Sequence, residues 1–178
     1  LEEGTYTSAI AQSNAIIKAI GAFAQGVREW DRTLDIPSMS INLGIISDFE
    51  GVLRLDCAAR AMDDKNLAIL THETMAFFKA LGFDVKQEGW HGAWNPEMTS
   101  FAQSVYGVMK EFYPHAAFKA IHAGLECGEL ILRQPKKIEA VSIGPTIRYP
   151  HSLREECDMN SVNNTAFIVQ KIINTYKD

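Results

Sequence analysis

His122 and Glu126 stand four residues apart in "KAIHAGLECG", residues 119–128. On a helix that spacing puts both on one face, where an imidazole and a carboxylate can ligate a metal. A plainer reading stays open: "AAFKAI" is a short strand, Gly124 makes a turn, and the two polar groups are solvated. His151 lies in "IGPTIRYPHSLREE", directly after a run that reads as a buried strand. Polar loops at the carboxyl ends of strands are where α/β sheets bind ligands. An imidazole there can be a metal ligand, an acid/base or a surface group. Arg60 ends "RLDCAAR". Its guanidinium suits bidentate capture of a carboxylate, or an ion pair with Asp63 or Asp64. Ser47, on the facing strand near the turn "DFEG", can assist an anion or simply form the turn. His72 with Glu73 reads as a solvated helix face, and His91 and His115 as loop residues. There is no Gly-rich phosphate loop, no G-x-S-x-G elbow and no H-E-x-x-H helix. The residues therefore show no self-sufficient catalytic constellation.

These side chains must be placed by two stretches of different rhythm. Apolar residues from Ile10 to Val27 recur near helical spacing and predict a helix over Tyr6–Arg28. The loop "EWDRTLDIP" follows. From Ser38 the period becomes two: Met39, Ile41, Leu43 and Ile45 alternate with small or polar residues, as in a strand with one buried face. "DFEG" is a hairpin turn, and Leu53, Leu55, Cys57 and Ala59 mark the return strand. Asp63 or Asp64 can cap the next helix, Gly82 stops it, and "FDVKQ" predicts a third strand. This is an antiparallel α+β layer. "EGWHGAWNPEM", residues 88–98, breaks the rhythm and is the best boundary in the chain. Beyond it come a helix over Pro96–Phe112, a strand at Phe118–Ile121 and a helix near Leu125–Leu132. A strand at Ile138–Ile143 and a last helix over Asp158–Tyr176 complete the order. Such alternation suggests parallel pairing. The expected domains are residues 1–90 and 91–178.

A chain of 178 residues suits one large domain or two small ones. A net charge of -5, with no basic stripe beyond "RQPKK", leaves no footprint for nucleic acid. No apolar run approaches the length of a membrane span. No basic start leads into a hydrophobic stretch, so a signal peptide is unsupported. Cys57, Cys127 and Cys157 are odd in number and lack CxxC spacing, which fits free thiols in a reducing compartment. The sequence opens at Leu1, not Met, and its first element reads as a helix already under way, so the expectation is a piece of a longer protein.

"KAIHAGLECG" followed by "EAVSIGPTIRYPHS" resembles the carboxyl-terminal part of the aminoacyl-histidine (Xaa-His) dipeptidases, dizinc metallopeptidases related to aminoacylase and carboxypeptidase. The likeness is most specific from Ala120 to Ser152. It extends more loosely through "GWHGAWNPEMTSFAQSVY", "RLDCAARAMDD" and "SMSINLGIIS" to about Ile10. The resemblance implies a fold class of α/β and α+β. Residues 1–90 would be part of an antiparallel lid and dimerisation domain, and residues 91–178 the carboxyl-terminal αβαβα segment of a zinc-peptidase catalytic domain. It implies that His151 is a ligand to one of two zinc ions. It implies that Arg60 takes the carboxylate end of a dipeptide, with Ser47 a weaker neighbour, and that Gly124 and Glu126 line the substrate site, Glu126 facing the free ammonium group. His122 would support that loop without ligating. The family's other ligands and its general-base glutamate have no counterpart in these residues. The implied function is zinc-activated hydrolysis of Xaa-His dipeptides by a cytoplasmic homodimer, with this chain inactive alone. Ser152-Leu153-Arg154-Glu155 replaces the family's Ser-Pro-Asp-Glu, so a degenerate homologue is one alternative. A non-enzymatic association module, its sheet pairing across a two-fold axis, is the other.

Overall fold

Glu50 and Gly51 both take positive φ, 52° and 79°, the conformation a two-residue hairpin turn needs to match strand twist. The Asp48 carboxylate accepts the Gly51 N–H at 2.9 Å and closes the turn. From it run the longest strands of the computed structural model, which describes residues 12–93, 95–123 and 126–177. β2 (Ile36–Phe49) and β3 (Val52–Ala61) pair antiparallel, and β1 (Gly26–Asp31) lies on the other side of β2. The register shifts by one residue between Leu43 and Ile45, where Gly44 forms a bulge.

The chain divides into two compact units, Leu1–Trp90 and His91–Asp178. In the first, α1 (Ser13–Ala22) and α2 (Asp64–Ala80) accompany the three-stranded sheet. Phe23, Ile41, Leu70 and Phe78 form its buried centre, and Met39, Leu43, Leu55, Cys57 and Ala59 line the covered sheet face. Asp63 caps α2, its carboxylate accepting the Asn66 N–H at 2.8 Å. At the far end Gly82, with φ 86°, donates to Lys79 and Phe83 donates to Phe78. This is a Schellman closure, and the Phe78 and Phe83 rings meet edge to face at 5.5 Å.

Three expectations for this unit are corrected. The helix expected to reach Arg28 ends at Ala22, and its Tyr6–Ala11 part lies outside the described residues. Phe23 enters the core from an extended backbone, Gly26 turns at φ 105°, and Gly26–Asp31 becomes a strand. Tertiary pairing with β2 overrode the helical spacing of Phe23, Ala24 and Val27. The expected "EWDRTLDIP" loop shrinks to a turn at residues 32–35, held by Asp31 accepting the Thr33 and Leu34 N–H groups. "FDVKQ" is no strand. Phe83 and Val85 pack on the core, but among the described residues no ladder bonds the segment.

In the second unit, α3 (Ser100–Phe112) packs on α5 (Met159–Thr175) around Ala102, Val105 and Ile168. Thr99 and Asp158 cap these helices. α4 (Glu126–Arg133) lies between them in sequence. The strands expected at Phe118–Ile121 and Ile138–Ile143, and their parallel pairing, are also corrected. Among the described residues the sheet pairing here is the antiparallel β4 (Ile147–Arg148) with β5 (Glu156–Cys157). Both expected segments instead line one cavity of about 360 Å³ against Val105, Tyr106 and Met109 of α3. Their apolar residues meet the side-chain requirement of a strand. The backbone requirement, a partner at about 4.8 Å, goes unmet. No helix of the described residues is long and apolar enough to cross a membrane.

Candidate functional site

In the first unit the candidates lie on the hairpin face that points away from the unit's core. Alternation along β3 sends Leu53, Leu55, Cys57 and Ala59 inward and Arg54, Asp56, Ala58 and Arg60 outward. Arg60 is opposite Ser40, and Ser47 is opposite Arg54. Arg60 and Ser47 thus share a face but sit six residues apart along β3, roughly 20 Å at ~3.3 Å per residue. They do not converge on one carboxylate. Arg54, the guanidinium beside Ser47, is already engaged by Asp56 at 2.7 Å. That hydrogen bond and the adjacent negative charge hold the Arg54 pKa above its ordinary value. Arg60 differs. Asp63 is committed to the α2 cap and to the Asn66 side chain. Among the described residues Arg60 forms no ion pair with Asp63 or Asp64.

In the second unit Glu126 opens α4, exposed in its first turn where the helix dipole favours an anion. His122 is half-buried and precedes the helix, so the shared helical face with Glu126 does not form. Gly124 lies outside the described residues. α4 is seated through Gly128, which is buried. A Cβ on Gly92 would meet the Gly128 carbonyl oxygen at 2.7 Å, so only glycine permits this approach. Glu129 accepts the Gly92 N–H at 3.3 Å and pairs with Arg133. The Arg133 hydrogen bond, then that of Gly92, hold its carboxyl below the usual range.

His151 sits in the seven-residue loop that joins β4 to β5, exposed to solvent. Arg148 pairs with Glu156 at the base. Below it Thr146 donates to the Ser161 hydroxyl at 2.8 Å and accepts from the Asp158 N–H, tying the hairpin to the start of α5. Tyr149 and His151 both have left-handed backbones, φ 52° and 61°. The Glu155 carboxylate accepts the His151 N–H at 2.7 Å. Ser152 Oγ donates to the Tyr149 carbonyl at 2.7 Å and accepts the Arg154 N–H at 3.2 Å. The Arg154 guanidinium covers the Tyr149 ring at 5.0 Å. Reading by motif picked out His151 but missed Glu155 as its backbone partner. The signal was a carboxylate four residues on, masked because no glycine announces the turn.

Among the described residues no group of three His, Cys, Asp or Glu side chains gathers to hold a metal. His151 can give one nitrogen. The donors present here do not make up a zinc site by themselves.

Mixed α/β architecture with an antiparallel sheet is the arrangement of a dipeptidase structure, which it matches over most of the chain. That structure is the crystal structure of aminoacylhistidine dipeptidase from Vibrio alginolyticus. It matches with a TM-score of 0.69 and 26% identity, over 96% of this chain and 36% of its own. In sequence the chain is 29% identical over 162 residues to the cytosol non-specific dipeptidase of Escherichia coli (strain K12), covering 87% of this chain and 33% of the relative. No family model matches. The resemblance read from "KAIHAGLECG" and "EAVSIGPTIRYPHS" is borne out, and the chain spans about a third of the length of the relatives it matches.

Proposed function

We propose that this chain is part of a cytoplasmic metal-dependent dipeptidase that hydrolyses Xaa-His type dipeptides and acts as a homodimer. The observation that carries the reading is the likeness to aminoacylhistidine dipeptidase over nearly the whole chain. Residues 1–90 serve as part of the lid and dimerisation domain. Residues 91–178 serve as the carboxyl-terminal segment of the catalytic domain. Arg60 receives the substrate carboxylate, since its guanidinium is exposed at a strand end with no carboxylate partner among the described residues. Ser47 is a lesser contact, too far along the hairpin to share that carboxylate. Glu126 takes the free ammonium, with Gly124 beside it in sequence. His151 supplies one nitrogen to a zinc ion whose further ligands, and the general base, lie outside this chain. Zinc, when bound, supplies the Lewis acidity for water activation. Among the described residues β1 and β3 are both edges of the sheet, and β3 is long enough to add a strand from a second copy. The free thiols suit a reducing cytoplasm.

The test compares dipeptides with their carboxamides, using the longer protein that contains this chain. Arg60→Ala is expected to raise KM for the free dipeptide at least tenfold and to leave the amide unchanged, abolishing the preference. Equal effects on both substrates, or none on either, refute the assignment. His151→Ala is expected to abolish turnover, and the 178-residue chain alone is expected to show none. Turnover by the longer protein with zinc added tests the degenerate reading, which predicts none.

A further inference from the structure

We propose that Glu155 is a positioning residue for His151: its carboxylate, through the His151 backbone N–H, holds that residue in a left-handed conformation that presents the imidazole. The proposal begins with the backbone. Positive φ in turns is ordinarily taken by Gly and, among other residues, by Asn, Asp and His, because a bulky side chain crowds the following carbonyl. Here the two positions are filled by Tyr149 and His151. Tyr149 also precedes Pro150, where an extended conformation is the usual preference. Turn chemistry alone would not choose Tyr149, while His151 is a residue type that tolerates this backbone when it is held. Left-handed backbones at bulky residues persist only where the surroundings over-determine them, and they concentrate at functional sites.

The surroundings that do so are four residues long. Ser152 bonds to the Tyr149 carbonyl, Glu155 N–H donates to the Ser152 carbonyl at 3.1 Å, and Arg154 lies over the Tyr149 ring. These fix the loop, but the only partner of the His151 main chain among them is the Glu155 carboxylate at 2.7 Å. A charge-assisted bond of that length is about twice as strong as a neutral one. Glu155 is in turn anchored, because the next residue, Glu156, pairs with Arg148 across β4 and β5. The carboxylate therefore acts from a fixed strand onto the residue that carries the imidazole. Its effect on catalysis rests on the reading of His151 as a metal ligand. Its effect on the loop does not.

The experiment uses the longer protein that contains this chain, labelled with nitrogen-15, and follows amide exchange and the His151 amide shift. Glu155→Ala is expected to speed His151 amide exchange at least tenfold and to move its nitrogen shift. Glu155→Gln keeps an oxygen acceptor and is expected to restore most of both. The amides of Ser161 and Ile168, which belong to the α5 scaffold, should not change and so report that the fold is intact. An unchanged His151 amide in Glu155→Ala overturns the proposal, as does a Gln variant no better than Ala. Zinc affinity of the longer protein, measured by chelator competition with zinc alone, separates the two readings. Glu155→Ala is expected to weaken zinc 10–100-fold, the usual cost of losing an outer-shell partner. If the amide responds while zinc binding stays constant even in His151→Ala, Glu155 positions the loop and the metal-ligand reading of His151 fails.

Discussion

Gly92→Ala is the substitution that most directly tests how α4, the bearer of Glu126, is held. The added methyl would stand 2.7 Å from the Gly128 carbonyl oxygen, 3.1 Å from its carbon and 3.1 Å from Leu132 Cβ. Non-bonded atoms settle at about 3.5–4.0 Å, so the overlap is roughly 0.5 Å or more. The obstacle is helix backbone, which cannot swing aside as a side-chain tip does. Overpacking of this kind costs about 1–3 kcal/mol. Reduced chain entropy in the unfolded state returns about 0.4–1 kcal/mol. The net expectation is a loss of about 1–2 kcal/mol, with the Gly92 N–H drawn away from Glu129. Gly107→Ala is the control within the same unit. Gly107 lies inside α3, exposed, and a Cβ there meets nothing within 4 Å. Alanine is the better helix former by about 0.5–1 kcal/mol, so this variant should gain stability. Guanidinium unfolding followed by circular dichroism reads both. The same chemical change must move the midpoint in opposite directions. A Gly92→Ala midpoint at or above that of the parent would show that α4 yields freely and that the close approach does not seat it.

Three further expectations follow from local geometry. The Glu139 carboxylate accepts the Phe101 N–H at 2.8 Å; this bond first, then one from the Thr99 side chain, lowers its pKa below the ordinary 4.5. A depressed folded pKa gives stabilisation that is complete above 4.5 and fades as pH falls through the lower folded value. The midpoint difference between the parent and Glu139→Gln should therefore shrink as pH is lowered, and a constant difference would refute the carboxylate's role at the start of α3. Burial first, and the neighbouring Asp56, push the Cys57 thiol up, while burial and Glu126 do the same for Cys127. Both form thiolate only at higher pH, so iodoacetamide at pH 7 should label exposed Cys157 first, and mass spectrometry showing Cys57 modified as fast would contradict this. Asp63→Ala removes the α2 cap and should cost about 1 kcal/mol, with Asp63→Asn recovering most of it in the same denaturation assay.

Legibility in the sequence followed from whether a feature depends on near or distant residues. The β2–β3 hairpin was readable because period-two alternation and the Glu50–Gly51 turn agree. Asp63 and Gly82 bounded α2 by chemistry confined to a few residues on either side. β1 was not readable, because Val27 also fits a helical stripe and only pairing with β2 decides between the two. The segments at 118–121 and 138–143 failed for the converse reason: their apolar residues suit a buried strand, but a ladder needs a neighbour that residue type cannot supply. In the candidate site, counting outward from the turn puts Ser47 opposite Arg54, so its distance from Arg60 was available in principle, apart from the one-residue shift at Gly44. The His151 loop was not. Its shape rests on positive φ at Tyr149 and His151, a conformation that residue type argues against at Tyr149.

Arg54 and Arg60 project from the same face of the same strand, and what distinguishes them is which local duties their neighbours have already assumed. Asp56 is two residues from Arg54, on the same face, and engages it. Asp63, a carboxylate three residues beyond Arg60, gives one oxygen to the Asn66 N–H and the other to the Asn66 side chain. Arg60 thus keeps an exposed charge that forms no ion pair among the described residues. A residue of that kind should be nearly silent in stability, since surface substitutions away from caps, cores and ion pairs usually fall within about 0.5 kcal/mol. Arg60→Ala is therefore expected to leave the denaturation midpoint of the chain unchanged while removing the preference for a free carboxylate in the longer protein. A structural guanidinium would behave in the opposite way. If Arg60→Ala lowers stability by more than about 1 kcal/mol, the side chain is holding the sheet or α2 together, and its claim to the substrate carboxylate loses the argument on which it stands.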